Sequence, residues 1–257
     1  MNKKKTFFSL LAASTLLLGG CTPGYQVASV KKERLLVDNR YDAKSSSELD
    51  SMMAPYAAKV DSLMSPVVGK VKKSLKVYRP ESELSNLLAD ILVWASGRYG
   101  ERPVMGVYNM GGIRASLSEG DVKYGDILEV APFENKICFL TLSGAHLLEL
   151  FRQMASVGGE GVSKGVELVF THDRQLKSAR LHGEEIVPLA DYRIVTIDYL
   201  AQGNDRMEAF KQKRMYNAPS GPENNSRMVI MEYFQTLMKQ GKAVDANVEG
   251  RIIVEEE

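Results

Sequence analysis

Cysteine is nearly absent from this 257-residue sequence, which holds only Cys21 and Cys138. If Cys21 is consumed by another modification, no intrachain disulfide can form, whatever the redox compartment. Cys138 lies in the apolar run Ile137-Cys138-Phe139-Leu140, the setting of a buried, inert thiol rather than a nucleophile. Histidine is almost as scarce: His146, His172 and His182 are the only three, and His146 on an expected helix and His182 in an expected hairpin read as structural or surface residues. No Gly-x-Ser-x-Gly elbow supplies an alternative nucleophile. Charge of neither sign dominates, because 33 Lys and Arg against 32 Asp and Glu leave a net charge of +1. That balance excludes a general attraction to nucleic acid polymers or acidic lipid and makes any anion site a local one. No internal repeat and no low-complexity segment interrupts the chain. The apolar run Phe7 to Leu18 is too short to cross a bilayer as a stable helix.

What the first residues do contain is an export signal. Three lysines at Lys3, Lys4 and Lys5 precede that apolar run, and Leu18-Gly19-Gly20-Cys21 follows it. Small residues before the cut admit a peptidase, and the thiol of Cys21 is the nucleophile that takes up a diacylglycerol. Residues 1–20 are therefore expected to be a lipoprotein signal peptide, with lipidation at Cys21 and membrane attachment through that lipid. Thr22 follows the cysteine; with no acidic residue there to retain the protein at the inner membrane, the expected location is the outer membrane, on its periplasmic or surface face. Residues 21–45 are polar and without apolar periodicity, as in a flexible tether.

From Ser46 the pattern changes to that of an ordinary globule, with 44% hydrophobic and 25% charged residues over the whole chain. Leu49, Met52, Met53, Tyr56, Val60 and Leu63 recur at helical spacing before Pro66, predicting a helix with one face packed on the domain. Further helices are expected over Ser82 to Arg98, from Ser143, and over Ser226 to about Gln240. Strands are expected at 104–108, 137–142, 166–170, 179–182, 192–197 and 251–254, with a hairpin around His182-Gly183. Interspersed strands and helices without a strict βαβ repeat point to an α+β fold, a mixed β-sheet with packed helices, over residues 46–257.

Three segments carry candidate chemistry. Asn109-Met110-Gly111-Gly112-Ile113-Arg114 follows the first of those strands. Its glycines permit positive φ and open the backbone N–H groups to a ligand, while Asn109 adds an amide and Arg114 a cation. Taken alone, a Gly-Gly after a strand is also an ordinary turn. In the segment Tyr124 to Asn135, Pro132 stiffens the chain before Phe133, and Asn135 offers both a donor and an acceptor. The third segment, Tyr199 to Asp205, joins an aromatic, a glycine and an acid at the end of a strand. Two rings on separate loops could clamp a planar heterocycle, each stacking contact contributing roughly 1–3 kcal/mol.

In this order, and together with Glu83-Leu84-Ser85-Asn86-Leu87-Leu88-Ala89-Asp90, Tyr124-Gly125-Asp126, Leu142-Ser143-Gly144-Ala145-His146 and Glu249-Gly250-Arg251-Ile252, these segments resemble the C-terminal domain of the 5′-nucleotidase family. The resemblance implies that Phe133 and Tyr199 sandwich a base and that Asp205 accepts ribose hydroxyls. It further implies that Asn109, Gly111 and Gly112 line the nucleoside, that Arg114 faces ribose or phosphate, and that Asn135 meets the base edge. Departures are Met110 for a glycine of the usual N-G-G-G-I-R, Ser85 for a helix glycine, tyrosine rather than phenylalanine at 199, and an arginine ahead of the helix whose nearest counterpart is Arg79. In that family a separate N-terminal domain holds two metal ions through Asp, His and Asn ligands, and this chain has no Asp-x-His, Gly-Asn-His or Gly-His-x-His. The expectation is thus a nucleotide-recognising subunit of a split hydrolase, with no cofactor of its own and the divalent metals on a partner metallophosphoesterase chain. A non-catalytic nucleoside- or nucleotide-binding lipoprotein is the alternative, and a scaffold without a working pocket the third reading.

Overall fold

The computed structural model describes residues 27–44 and 46–255; the expected signal peptide, Cys21 and the first residues of the expected tether lie outside them. Two compact units divide the chain between Met52 and Met53. In the first, residues 27–37 have no regular structure and are exposed, a 3₁₀ turn covers Asn39–Lys44, and helix α1 (Ser47–Met64) begins. The apolar stripe of α1 has the anticipated register, yet none of its residues is buried, and Met52, Tyr56 and Leu63 stand 59, 65 and 56% exposed. The expectation of a face packed on the domain is therefore wrong. Helical periodicity identifies which face is apolar; it carries no information about what covers that face.

The second unit holds the core. Helix α2 (Glu83–Ser96) starts at Ser82, whose hydroxyl accepts from the Ser85 amide while the Ser85 hydroxyl accepts from the Ser82 amide. This reciprocal cap is of a kind that contributes about 1 kcal/mol, and it explains why serine stands at 85 where a glycine is usual. Leu84, Leu87, Leu88, Ile91 and Leu92 are buried, as the spacing predicted. The helix lies on strand β2 (Met105–Tyr108) at Gly106, where an added Cβ would fall 2.7 Å from the Ala89 carbonyl oxygen. Only glycine lets helix and strand approach that closely.

Strand β2 belongs to a five-stranded sheet ordered β10-β4-β9-β2-β5. Its members are β4 (Ile137–Ser143), β5 (Gly161–Val162), β9 (Asp191–Ile197) and β10 (Arg214–Asn217). β9 runs parallel to β2 and antiparallel to β4, so the sheet is mixed and the fold is α+β. β4 is buried from Ile137 to Leu142, which is why it reads as a continuous apolar run rather than an alternation. A second sheet is ordered β11-β6-β7-β8, from Ile252–Val254, Val166–Phe170, Leu176–Leu181 and Glu184–Glu185. The expected hairpin joins β7 to β8 through His182 and Gly183, at φ 54° and 82°, the two left-handed residues of a tight turn matched to strand twist. A two-stranded ribbon pairs β1 (Val67–Val71) with β3 (Gly120–Lys123). Helices α3 (Tyr124–Val130), α4 (Gly144–Ser156) and α6 (Ser226–Lys239) complete the unit, with a single turn α5 (Asp198–Ala201) after β9.

Candidate functional site

The sheet register brings three chain segments to one edge. Ile137 at the start of β4 pairs with Ile197 at the end of β9, and β2 ends on the same side because it runs parallel to β9. The turn after β2, the loop before β4 and the turn α5 after β9 consequently emerge side by side. They enclose a cavity of about 280 Å³, lined by Asn109, Gly111, Gly112 and Arg114 from the first, Phe133 and Asn135 from the second, and Tyr199 and Asp205 from the third. All eight residues singled out in the sequence therefore meet at one place.

Asp205 is the hub. Its Oδ1 accepts from the Tyr199 hydroxyl at 2.8 Å and its Oδ2 from Asn109 Nδ2 at 2.9 Å. Each carboxylate oxygen has a further lone pair, so both bonds leave acceptor capacity for a ligand. The bond to Asp205 is also the main reason that the Tyr199 phenol is held above its ordinary range. Asp205 and Arg206 adopt left-handed backbone at φ 55° and 65°, after Gly203 at 87°. Two consecutive non-glycine residues in that region are uncommon and mark a turn over-determined by its surroundings.

Gly111 and Gly112 correct one expectation, since neither has positive φ. Their role is absence of bulk. A Cβ on Gly112 would lie 2.5 Å from Asn109 Oδ1, and one on Gly111 would lie 3.5 Å from Asp205 Oδ2. The turn Met110–Gly112 is a right-handed 3₁₀ turn, so methionine replaces glycine at 110 without backbone strain. Asn109 is buried, and its Oδ1 has no hydrogen-bond partner among the described residues. Arg114 is exposed, and its Nη1 donates to the Gly111 carbonyl at 3.3 Å.

The aromatic loop is pinned from behind. Arg227, on the first turn of α6, donates through Nε to the Ala131 carbonyl at 2.9 Å and through Nη2 to the Pro132 carbonyl at 2.7 Å. The Ser226 amide donates to the Asn135 carbonyl at 2.8 Å. Asp198 ties this loop to α5, because its Oδ1 accepts from both the Lys136 and Tyr199 amides. Phe133 and Tyr199 are 48 and 37% exposed, and both line the cavity; neither ring takes part in a ring-to-ring contact among the described residues.

One residue behind the cavity is not among those the sequence singles out. Glu160 is buried, accepts from the Met110 amide through Oε2 and pairs with Arg79 through Oε1. The signal was a single acid framed by Gly158, Gly159 and Gly161, and nothing local told it from a solvated loop charge.

No group of three or more His, Cys, Asp or Glu side chains among the described residues could hold a metal ion. Asp205 is the one carboxylate lining the cavity, a donor set that does not fit a dimetal centre. His146 Nδ1 lies 3.0 Å from the Ser143 hydroxyl, and His182 Nε2 lies 2.9 Å from the Val104 carbonyl. The first contact lies within the start of α4, and the second joins the β7–β8 hairpin to the segment before β2.

Residues 67–212 match the family model of the 5′-nucleotidase C-terminal domain. An apyrase of Tabanus yao is 33% identical over 130 residues, covering 43% of this chain and 24% of that protein. The trifunctional nucleotide phosphoesterase YfkN of Bacillus subtilis is 28% identical over 187 residues, covering 67% of this chain and 12% of that protein. The crystal structure of a 5′-nucleotidase precursor from Thermus thermophilus superimposes with a TM-score of 0.70 at 27% identity, covering 81% of this chain and 43% of that one. The chain thus spans less than half the length of each. With the family match extending over more than half of its residues, this chain belongs to the 5′-nucleotidase C-terminal domain family.

Proposed function

We propose that this protein is the nucleotide-recognising half of an exported 5′-nucleotidase-type phosphoester hydrolase, and that a separate metallophosphoesterase chain supplies the divalent metals and the hydrolytic step. The observation that carries the reading is the cavity itself: two partly exposed rings, Phe133 and Tyr199, beside a carboxylate whose neighbours are a phenol and an amide. A base stacked on these rings gains roughly 1–3 kcal/mol per contact. A vicinal diol donates to the remaining lone pairs of Asp205, and such charge-assisted bonds are the strong ones. Asn109 Oδ1 is a buried acceptor with no hydrogen-bond partner among the described residues. Leaving such an atom unsatisfied costs about 1–3 kcal/mol, which a donor on the ligand would recover. Arg114, exposed and weakly held, is free to turn toward a phosphate. The metals of the partner chain would supply the hydroxide that attacks the ester.

Titration calorimetry of the wild-type protein, Phe133→Ala and Tyr199→Ala with adenosine, AMP and UDP-glucose tests recognition. Binding by the wild type that both variants lose supports it. Absence of binding, or unchanged binding in the variants, leaves a scaffold that has the fold without the pocket. Mixing the protein with a candidate metallophosphoesterase chain and AMP tests the split. Phosphate release faster than from either chain alone supports it, and equal rates leave the non-catalytic nucleotide-binding lipoprotein.

The export signal and Cys21 place this activity outside the inner membrane in the same proposal. Among the described residues no helix is long and apolar enough to cross a membrane. A lipid on Cys21 would hold the domain on a tether near a partner confined to the same layer, raising their effective concentration. Metabolic labelling with a fatty acid, lost in Cys21→Ala, is the expected result.

A further inference from the structure

The carboxylate behind the Asn109–Gly112 turn is one that the cavity does not expose. The Glu160 side chain is 1% exposed, and a charge buried so completely is costly unless it is paired and hydrogen-bonded. Here both oxygens are used: Oε2 accepts from the Met110 backbone amide at 2.5 Å, and Oε1 accepts from Arg79 Nη2 at 2.8 Å. The backbone that delivers it is tightly set. Gly159 has φ 114°, and a Cβ there would lie 2.4 Å from the Pro80 carbonyl oxygen, so only glycine lets the chain press on Pro80 and aim the next residue at both partners. Three segments, at 79–80, 110 and 159–160, therefore converge on one side chain.

We infer that Glu160 is a positioning residue for the ligand turn, whose buried carboxylate, paired with Arg79, holds the Met110 amide and with it the arrangement in which Asn109, Gly111 and Gly112 line the cavity. This rests on the reading that the turn contacts a nucleoside. Glu160 acts through the backbone of residue 110 and does not itself line the cavity. The clamped amide is one residue from Asn109, whose side chain holds Asp205. Releasing the clamp lets the turn rotate and takes a partner from the carboxylate that would meet the ribose. The charged and titratable groups facing Glu160 are Arg79 from the segment before α2, which favours the ionised form, and Asp205 and Tyr199 from the turns after β9, of which Asp205 opposes it. Burial is the largest influence and pushes the carboxyl above the usual range.

The test compares wild type, Glu160→Gln and Glu160→Leu by amide nuclear magnetic resonance, adenosine calorimetry and thermal melting across the carboxyl titration range. Glutamine keeps an acceptor for the Met110 amide and leucine removes it. Expected results are a Met110 amide signal that moves with pH in the wild type and is flat in Glu160→Gln. Glu160→Leu should displace the Met110 and Gly111 signals at every pH and weaken adenosine binding roughly tenfold or more, with glutamine recovering most of that loss. The inference is overturned if Glu160→Leu melts earlier but leaves those amides and the affinity unchanged, since Glu160 then serves stability alone. Should Glu160→Leu fail to fold, the pH response of the Met110 amide in wild type against Glu160→Gln decides. If wild type binds no adenosine, the nucleoside reading fails, and the amide signals alone decide whether Glu160 sets the turn.

Discussion

The hydroxyl of Tyr199 donates a 2.8 Å hydrogen bond to Asp205 Oδ1, so one aromatic wall of the cavity is fastened to its carboxylate hub. Phenylalanine, the usual residue at this position by resemblance, could not make that bond. Tyr199→Phe keeps the stacking face and should change nucleoside affinity less than about threefold, whereas Tyr199→Ala should cost about tenfold or more, as expected for a lost stacking contact. Calorimetry with adenosine checks both. Equal losses in the two variants would show that the hydroxyl, and not the ring, matters.

Gly112→Ala places a methyl group 2.5 Å from Asn109 Oδ1. The asparagine must move, breaking its 2.9 Å bond to Asp205. Binding should weaken at least several-fold, by about the 1 kcal/mol that a hydrogen bond contributes, while the melting temperature shifts by only a few degrees. Gly111→Ala, whose methyl group would sit at an ordinary contact distance of 3.5 Å from Asp205, is the milder control. Both affinities can be measured on the same ligand.

Cys138 is buried in β4, and burial pushes its thiol up to about 12. The thiolate is the reactive form, so the folded protein should resist alkylation at mildly alkaline pH and react promptly once unfolded in denaturant. Mass spectrometry after brief iodoacetamide treatment distinguishes the two. Rapid labelling of the native protein would contradict the burial.

Glu101 accepts from Arg193 Nε at 2.8 Å and also from Arg193 Nη2 and Asn217. Those bonds to Arg193, above all, hold its carboxyl below the usual range. A carboxyl lowered by folding contributes stability above its unfolded pKa, and that contribution disappears as pH falls through the folded value. Glu101→Gln should therefore lower the melting temperature at neutral pH and make little difference in strong acid. Parallel melting curves of the two proteins across the acidic range provide the measurement.

Much of the scaffold is legible in the sequence. α2, α4 and α6 announced themselves through apolar spacing and their caps, and β4 through an unbroken apolar run, because long or fully buried elements impose their pattern on many residues at once. β1, β3 and β10 did not. They are short, β10 is wholly exposed and the others only partly buried, so few side chains carry the alternation. α3, a seven-residue helix, is likewise too short to show its period. α1 showed its period and misled, because its stripe lies uncovered.

The site divides in the same way. The sequence by itself determined the chemistry on offer: two aromatics, a carboxylate, an amide and a pair of glycines at the ends of strands, in an order that resembles a nucleotide-handling domain. Only the tertiary structure decided that they meet, because the neighbouring ends of β2, β9 and β4 are set by hydrogen-bond register between segments far apart in the chain. It also decided that Gly111 and Gly112 serve through their lack of bulk rather than through positive φ. And it gave Glu160 its partners, since an ion pair between the exposed Arg79 and the buried Glu160 is a property of how two distant segments pack, which no local pattern encodes.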